Sequence, residues 1–302
     1  MDNSVLLVSP SPHVRAKDNT ARIMLDVIIA LVPVFIASVV FFGWRAVLVV
    51  ATCVATCVVS EWGFEKICKR DVTVGDLSAI VTGMLLAFNL PSTVPLWQAM
   101  IGSVVAIVVV KQLFGGIGKN FANPAITARI VMMLSFAGSM SNYATRYDAI
   151  SSATPLSGAD VSYLDLFLGK HSGSLGETCS LALLIGGAYL VIRKVITWHT
   201  PVVFVGTVFV LSFAFGQDPL QQILSGGLLI GAIFMATDYS TTPSTKWGKV
   251  IFGLGCGVIT VLIRVFGSYP EGVSFAILFM NILTPYVSSW TKKRPLGGVK
   301  SK

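Results

Sequence analysis

Charged residues are scarce in this sequence. Only 12% of its 302 residues are Asp, Glu, Lys or Arg, while 54% are apolar, against about a quarter charged in ordinary soluble domains. This composition excludes a water-soluble globular protein and predicts a polytopic membrane protein. No stretch between the apolar runs could build a second core, so we interpret the chain as one membrane domain. The start of the chain does not have the pattern of a removable signal peptide.

Side chains for nucleophilic and metal chemistry are also few. The chain has five cysteines and three histidines, with no CxxC pair and no mixed Cys/His cluster at metal-ligand spacing. Cys53 and Cys57 lie one helical turn apart in an apolar run, which suits helix packing better than a metal or redox pair. The net charge of +8 comes from Lys and Arg spread over short loops rather than one patch, so no nucleic-acid partner is expected.

Apolar runs, in contrast, are abundant. A helix needs about 20 apolar residues to cross the hydrocarbon layer, and fewer where it inserts against protein. On this basis the sequence predicts an all-α polytopic membrane fold of about ten transmembrane helices. The predicted segments cover residues 23–42, 46–60, 77–90, 96–113, 124–136, 178–196, 202–215, 223–237, 250–266 and 273–290.

Most of the Lys and Arg residues fall on loops that would share one side of the membrane. Positively charged loops stay on the cytoplasmic side. We therefore predict that both termini are cytoplasmic and that the loop after the fifth segment faces outward.

The sequence also contains a faint internal repeat. SAIVTGMLLAFNLPSTVP from Ser78 resembles SGGLLIGAIFMATDYSTTP from Ser225, and KQLFGGIGKNFANPAI from Lys111 resembles IRVFGSYPEGVSFAI from Ile263. Since five helices separate the copies, the pattern predicts two inverted five-helix repeats, although shared membrane composition also accounts for part of the likeness. The predicted division is a cytoplasmic N-terminal segment, a first repeat, an outer loop, a second repeat and a cytoplasmic tail, at residues 1–22, 23–136, 137–176, 177–290 and 291–302.

In both copies of the repeat, the apolar run is interrupted by polar residues before it is long enough to cross the membrane. The breaks NLPSTVP and DYSTTP leave backbone groups that lipid would not tolerate, so they are expected to line a cavity near the midplane. Asn89, Asp238 and Glu271 are our candidates for an ion path, because ionisable residues inside a membrane are usually functional. Asp238 either lines that path or simply ends a helix.

Glu271 and Glu177 precede apolar runs, where a carboxylate also favours a helix N-terminus. The other ionisable candidates are Asp76, Lys111, Arg129 and Arg264.

The predicted outer loop contains DAISSATPLS at residues 148–157. Pro155 holds the residue before it extended, which on residue chemistry alone indicates an ordinary turn. The stretch is similar, however, to the D-x-x-S/T-G-A-T signature on which flavin transferases place FMN through a phosphoester to the threonine. The matching residues are Asp148, Ser151, Ala153 and Thr154. Ser152 stands where that family usually has glycine, which reaches backbone conformations that serine avoids.

Further motifs in the same order resemble one family, which holds the D subunit of the Rnf complex and the B subunit of the sodium-translocating NADH:quinone oxidoreductase. They are GDLSAIVTGMLLAFNLP, KQLFGGIGKNFANPA, GETCSLALLIGGAYL, LSGGLLIGAIFMATDYSTTP and YPEGVSFAILFMN. The B subunits typically have a longer N-terminal region, whereas this chain reaches its first apolar run at Ile23, which favours the Rnf type.

The resemblance implies an electron-relay subunit of an ion-pumping ferredoxin:NAD oxidoreductase in the inner membrane. It implies FMN bound covalently at Thr154, a noncovalent riboflavin within the membrane part, and the A, B, C, E and G subunits of Rnf as partners; the transported ion is Na⁺ or H⁺. A secondary transporter or channel without redox chemistry shares inverted repeats and midplane breaks, and remains the alternative. A purely structural membrane anchor would leave the polar breaks unexplained.

Overall fold

The computed structural model describes residues 19–143, 162–267 and 272–292, and within these ranges it contains helices and loops but no strand. The first helix, α1 (Thr20–Phe42), begins after Asn19, whose side chain accepts a hydrogen bond of 2.9 Å from the Arg22 amide and so caps the helix. α2 (Trp44–Ile67) follows directly after Gly43, which takes a positive φ of 69°.

The remaining helices alternate between long and short elements. In the first half they are α3 (Ser78–Phe88), α4 (Leu96–Val104, continuing as a π-helix over Val105–Gln112), α5 (Pro124–Ser135) and α6 (Ala137–Met140). In the second half they are α7 (Tyr163–Leu168), α8 (Ser180–Ile192), α9 (His199–Ala214), α10 (Pro219–Leu224), α11 (Leu228–Ile230, continuing as a π-helix over Gly231–Met235), α12 (Lys246–Phe266) and α13 (Val273–Thr291).

Among the described residues, four helices are long and apolar enough to cross a membrane: α1, α2, α12 and α13. Shorter apolar helices, α3, α4, α5, α8 and α9, pack among them. The predicted all-α polytopic membrane fold is confirmed. One predicted segment, 223–237, is divided into α10 and α11 because Gly226 takes a left-handed φ of 65° between them.

Helices pack both within each predicted half and between the halves. In the first, α2 packs on α3 and α4; in the second, α9 packs on α12, and α1 and α8 pack together between the halves. α3 and α11 each end in a polar break before the next long helix begins. The opposite orientation of the halves in the membrane, the cytoplasmic termini and the division at residues 137 and 177 stay predictions.

Glycine allows a close contact between the halves. A Cβ atom at Gly186 of α8 would lie 2.2 Å from the carbonyl oxygen of Ala30 in α1. Real side chains cannot approach a backbone oxygen this closely, so only glycine permits the crossing. The α1–α8 contact brings the ends of the broken helices α3 and α11 around a shared interior.

Candidate functional site

A cavity of about 100 Å³ lies between the two halves, beside the ends of the broken helices. Its apolar wall includes Met24 of α1, Val81 and Leu85 of α3, and Phe234 of α11. The polar side chains that line it are Ser78, Thr82, Lys111, Asn120, Asn123, Thr237, Asp238 and Ser240. A mixed lining of this kind suits a small ligand or ion whose few polar groups are oriented by the protein.

Asp238 lines this cavity just after α11. Its carboxylate accepts hydrogen bonds from the Ser240 hydroxyl at 3.2 Å and the Thr241 hydroxyl at 3.1 Å. Within the described ranges no lysine or arginine is paired with Asp238. The Ser240 amide donates to it as well, at 3.4 Å, so the carboxylate is stabilised by neutral donors rather than by a cation.

Asn89, the other ion-path candidate that the structure describes, lies away from the cavity lining. It caps the C-terminus of α3, where its amide donates to the Leu85 carbonyl at 2.6 Å and its oxygen accepts from Arg129 Nη1 at 2.7 Å. Arg129 Nη2 in turn lies 2.9 Å from Glu177 Oε1, and both side chains are 2% exposed. Asn89 thus belongs to a buried structural network, and the Glu177 carboxylate is half of an ion pair.

Residues 170–177, which we name the sealing segment, lie between α7 and α8, and Leu175 and Gly176 of this segment pair with the break that follows α3. The amides of Leu175 and Gly176 donate to the carbonyls of Leu90 and Phe88 at 3.1 and 2.8 Å. A Cβ atom at Gly176 would lie 2.4 Å from the Phe88 Cβ, so only glycine fits there. The sealing segment satisfies carbonyls that the helix break releases, as an apolar interior requires.

His171 lies in the sealing segment and is buried. Burial lowers the pKa of its imidazole from 6.5 to about 4, because removal from water disfavours the charged form. The histidine is therefore neutral in the folded protein at physiological pH. Sequence analysis gave it no role.

A second buried ion pair lies at the edge of the cavity. Lys111 Nζ is 2.5 Å from Glu61 Oε1 and 2.6 Å from the Ser78 hydroxyl, and Gln112 donates to the same Glu61 oxygen at 2.7 Å. Sequence analysis singled out Lys111 but missed Glu61. The available signal was Glu61 and Glu65, one helical turn apart at the end of the second apolar run.

Sequence analysis also missed Asp26, near the start of α1. Its carboxylate accepts from the Tyr189 hydroxyl at 2.9 Å and lies 3.1 Å from Arg193 Nη2. Both partners belong to the end of α8. This contact joins the two halves on the side where the positive-inside pattern predicts cytoplasm.

Six of the predicted site residues lie outside the described residues. They are the flavin-signature residues Asp148, Ser151, Ser152, Ala153 and Thr154, and the ion-path candidate Glu271. The described chain resumes at Ser162, shortly before α7. The roles of these six residues stay predictions.

Comparison with known proteins covers nearly the whole chain. The model of the NQR2, RnfD, RnfE family matches residues 7–297. The D subunit of the Na⁺-translocating ferredoxin:NAD⁺ oxidoreductase complex of Acetobacterium woodii is 46% identical over 313 aligned residues, which cover 100% of this chain and 98% of that protein. The D subunit of the proton-translocating ferredoxin:NAD⁺ oxidoreductase complex of Clostridium ljungdahlii is 39% identical, with 97% of each chain covered.

A more distant relative also aligns over nearly the whole chain. The D subunit of the ion-translocating oxidoreductase complex of Escherichia coli is 32% identical, and the alignment covers 97% of this chain and 99% of that protein. Identity of this degree along whole chains, together with the matching family model, means that the chain belongs to the NQR2, RnfD, RnfE family.

Proposed function

We propose that this chain is the flavin-carrying membrane subunit of an Rnf-type complex, which couples electron transfer between ferredoxin and NAD to ion translocation. The observation that carries the proposal is full-length similarity to D subunits of such complexes. One of these relatives is named for sodium and the other for protons, so similarity alone leaves the ion open. The proposed partners are the A, B, C, E and G subunits of Rnf, in the inner membrane.

The proposed covalent cofactor is FMN, joined through its phosphate to the Thr154 hydroxyl. The support is the flavin signature at residues 148–154. A phosphoester would keep the cofactor from diffusing away, and the flavin itself supplies the electron-transfer chemistry. The extended backbone imposed by Pro155 would present the threonine hydroxyl to a transferase.

The central cavity is the proposed place for the noncovalent riboflavin. Asn120 Oδ1 is buried without a hydrogen-bond partner, and such an oxygen fits an N–H at the edge of a flavin ring. Val81, Leu85 and Phe234 offer apolar surface for the ring faces. At about 100 Å³ the cavity is smaller than the roughly 300 Å³ or more of most ligand pockets, so binding requires these walls to move apart.

The same cavity supports the proposed ion path. Adding negative charge to a site in low dielectric is costly unless a cation follows. Asp238 offers a carboxylate that no lysine or arginine of the described chain neutralises, and it lies in the lining shared with Asn120. Asp238 would therefore hold the cation that balances the charge.

Mass spectrometry of the denatured chain from native membranes tests the redox assignment. We expect the intact chain to exceed its sequence mass by one esterified FMN and to fluoresce in a denaturing gel. Thr154→Val removes both signals, while Thr145→Val, a nearby control in the same predicted outer loop, retains them. A colourless chain of unmodified mass would overturn the proposal and favour the transporter or channel alternative.

A separate measurement addresses the riboflavin site. Acid extraction releases noncovalent flavin and leaves the ester-linked FMN on the chain. We expect Asn120→Leu to lower the released riboflavin while the fluorescence of the denatured chain is unchanged. Equal release from Asn120→Leu and the parent complex would place the riboflavin elsewhere.

A further inference from the structure

A second cavity, of about 290 Å³, lies where α8 ends and where α9 and α12 begin. Its polar lining includes Lys194, Thr197, Thr200, Thr242, Ser244 and Lys249, none of which lines the central cavity. Thr237 and Tyr239 line both cavities, and the Tyr239 hydroxyl donates to the Val195 carbonyl. The second cavity therefore adjoins the site proposed for electron and ion transfer but has its own two lysines.

The chemistry of this lining suits an anion with several oxygens. Lys194 and Lys249 supply two positive charges, and the hydroxyls of Thr and Ser supply further donors. Lys249 Nζ donates to the Thr197 hydroxyl at 3.0 Å, which holds its ammonium group at the cavity edge. Among the described residues that line the cavity, none is acidic. Phosphate oxygens match such a set of donors.

The backbone at Lys194 allows a clean test of its side chain. Lys194 has a φ of 58° just after the end of α8, a left-handed conformation. Glycine is the usual residue at this position of a helix end, so replacing Lys194 by glycine removes the charge without straining the backbone.

The surroundings of the cavity indicate a membrane surface. Trp198, just before α9, and Trp247, in the first turn of α12, are 56% and 75% exposed, and exposed tryptophans concentrate at the boundary between headgroups and hydrocarbon. Val202 and Ile251, further along the same two helices, are exposed apolar residues that acyl chains can contact. The loop charges predict that this is the cytoplasmic surface.

We propose that this cavity binds the phosphate headgroup of an anionic phospholipid, with Lys194 and Lys249 as the charged contacts. Basic pockets between transmembrane helices on this side of a membrane bind such headgroups. The neighbouring apolar side chains favour a lipid over free phosphate, because only a lipid has acyl chains that can pack against them.

Lipid retention by the purified complex tests this site. The complex is incorporated into lipid particles that contain phosphatidylglycerol in phosphatidylcholine, and the phosphatidylglycerol that remains after detergent exchange is counted by native mass spectrometry. We expect Lys194→Gly to weaken retention about fivefold, and Lys194→Gly with Lys249→Met about thirtyfold, from the attraction that each lysine contributes near an anionic surface. Glycine suits the backbone at position 194, so this substitution does not threaten the fold.

Lys69→Gly is a matched control. Lys69 also takes a left-handed conformation, with a φ of 52° after α2, and it does not line the cavity. We expect Lys69→Gly to retain phosphatidylglycerol as the parent complex does. Equal losses from Lys69→Gly and Lys194→Gly, or no loss from the double variant, would overturn the proposal.

Two further outcomes would also overturn it. Displacement of phosphatidylglycerol by inorganic phosphate at equal ionic strength would identify a free-phosphate site. Crosslinking of the cavity residues to another subunit in the assembled complex would identify a protein interface. Retention that depends on Lys194 and Lys249 but resists inorganic phosphate supports the lipid site.

Discussion

The two polar breaks, which the internal repeat predicts to be equivalent, are stabilised differently. In the first, at residues 89–95, the carbonyls of Phe88 and Leu90 accept from the sealing segment, and Arg45 donates to the carbonyls of Ser92 and Val94 at 3.2 and 3.1 Å. In the second, at residues 236–245, hydroxyl groups of the break itself bond to Asp238. Only the second places a carboxylate in the central cavity.

This difference separates a structural break from a candidate site. The first break is tied to three distant parts of the chain, and its ion pair, Arg129 with Glu177, is buried and occupied. The second break also has distant ties, since Thr284 donates to the Thr241 carbonyl at 2.8 Å and Tyr239 donates to the Val195 carbonyl. Its Asp238 carboxylate, however, accepts hydrogen bonds only from neighbouring residues of the break and has neither lysine nor arginine as a partner in the described chain. The Glu177 carboxylate is already neutralised by Arg129, whereas the Asp238 carboxylate can exchange a cation.

The largest expected effect comes from breaking the Arg129–Glu177 pair. Arg129→Met leaves Glu177 buried without its cation and also removes the donor to Asn89. Loss of one partner from a buried pair costs about 3–5 kcal/mol, so we expect little assembled complex in the membrane and a much lower unfolding temperature. Thermal unfolding, followed by loss of the soluble complex, measures the effect.

Two variants control this prediction. Arg129→Met combined with Glu177→Met removes both charges and should recover much of the stability, because a well-packed apolar pair can replace a buried ion pair. Arg193→Gln breaks the Asp26 pair, whose arginine side chain is 49% exposed, so its cost should stay below about 1 kcal/mol. If Arg129→Met proved no worse than Arg193→Gln, the first break would not depend on its ion pair.

A smaller effect should follow from acid. Burial lowers the His171 pKa from 6.5 to about 4. Between these two pH values the imidazole is protonated in the unfolded segment and neutral in the folded one. The stability of the closed sealing segment is thus fully present above pH 6.5 and is lost as pH falls towards 4, by about 2 kcal/mol at pH 5. Hydrogen exchange should show faster exchange of the Leu175 and Gly176 amides at pH 5, after correction for intrinsic rates.

His171→Gln removes this dependence, since glutamine does not titrate. In that variant the corrected exchange at Leu175 and Gly176 should be the same at pH 5 and pH 7. Amides of the second break, such as that of Ser240, should respond equally in both proteins. A pH response that survives His171→Gln would assign the effect to another group.

The smallest effect is expected from Asp238 in the second break, and it concerns ion transport rather than stability. Asp238→Asn keeps the size of the side chain and can still accept from Ser240 and Thr241, so the fold should be unaffected. We expect flavin reduction to continue while ion transport by the reconstituted complex falls about tenfold or more, equivalent to about 1.4 kcal/mol. Asp71→Asn, at an exposed position, should change neither. Unaltered transport in Asp238→Asn would remove this carboxylate from the ion path.

The sequence predicts the helices better than it predicts the contacts between them. Apolar runs located the membrane segments because a helix in lipid must be apolar over its length. The division at Gly226 was missed, since only a left-handed backbone there separates α10 from α11. The partners of Lys111 and Arg129 lie on other parts of the chain, and no local pattern relates residues that tertiary folding alone brings together. Asp238 was recognisable because a carboxylate directly follows an apolar run.

The sealing segment has a consequence for how the molecule could be divided. The internal repeat predicts two duplicated modules, yet two peptide oxygens of the first are satisfied by residues 175 and 176, which follow α5 in the chain. A fragment ending with α5 would expose those oxygens to lipid, which offers no donor. Whatever its ancestry, the first half is not a self-sufficient unit, and any split-protein or domain-swap design must carry the residues beyond it.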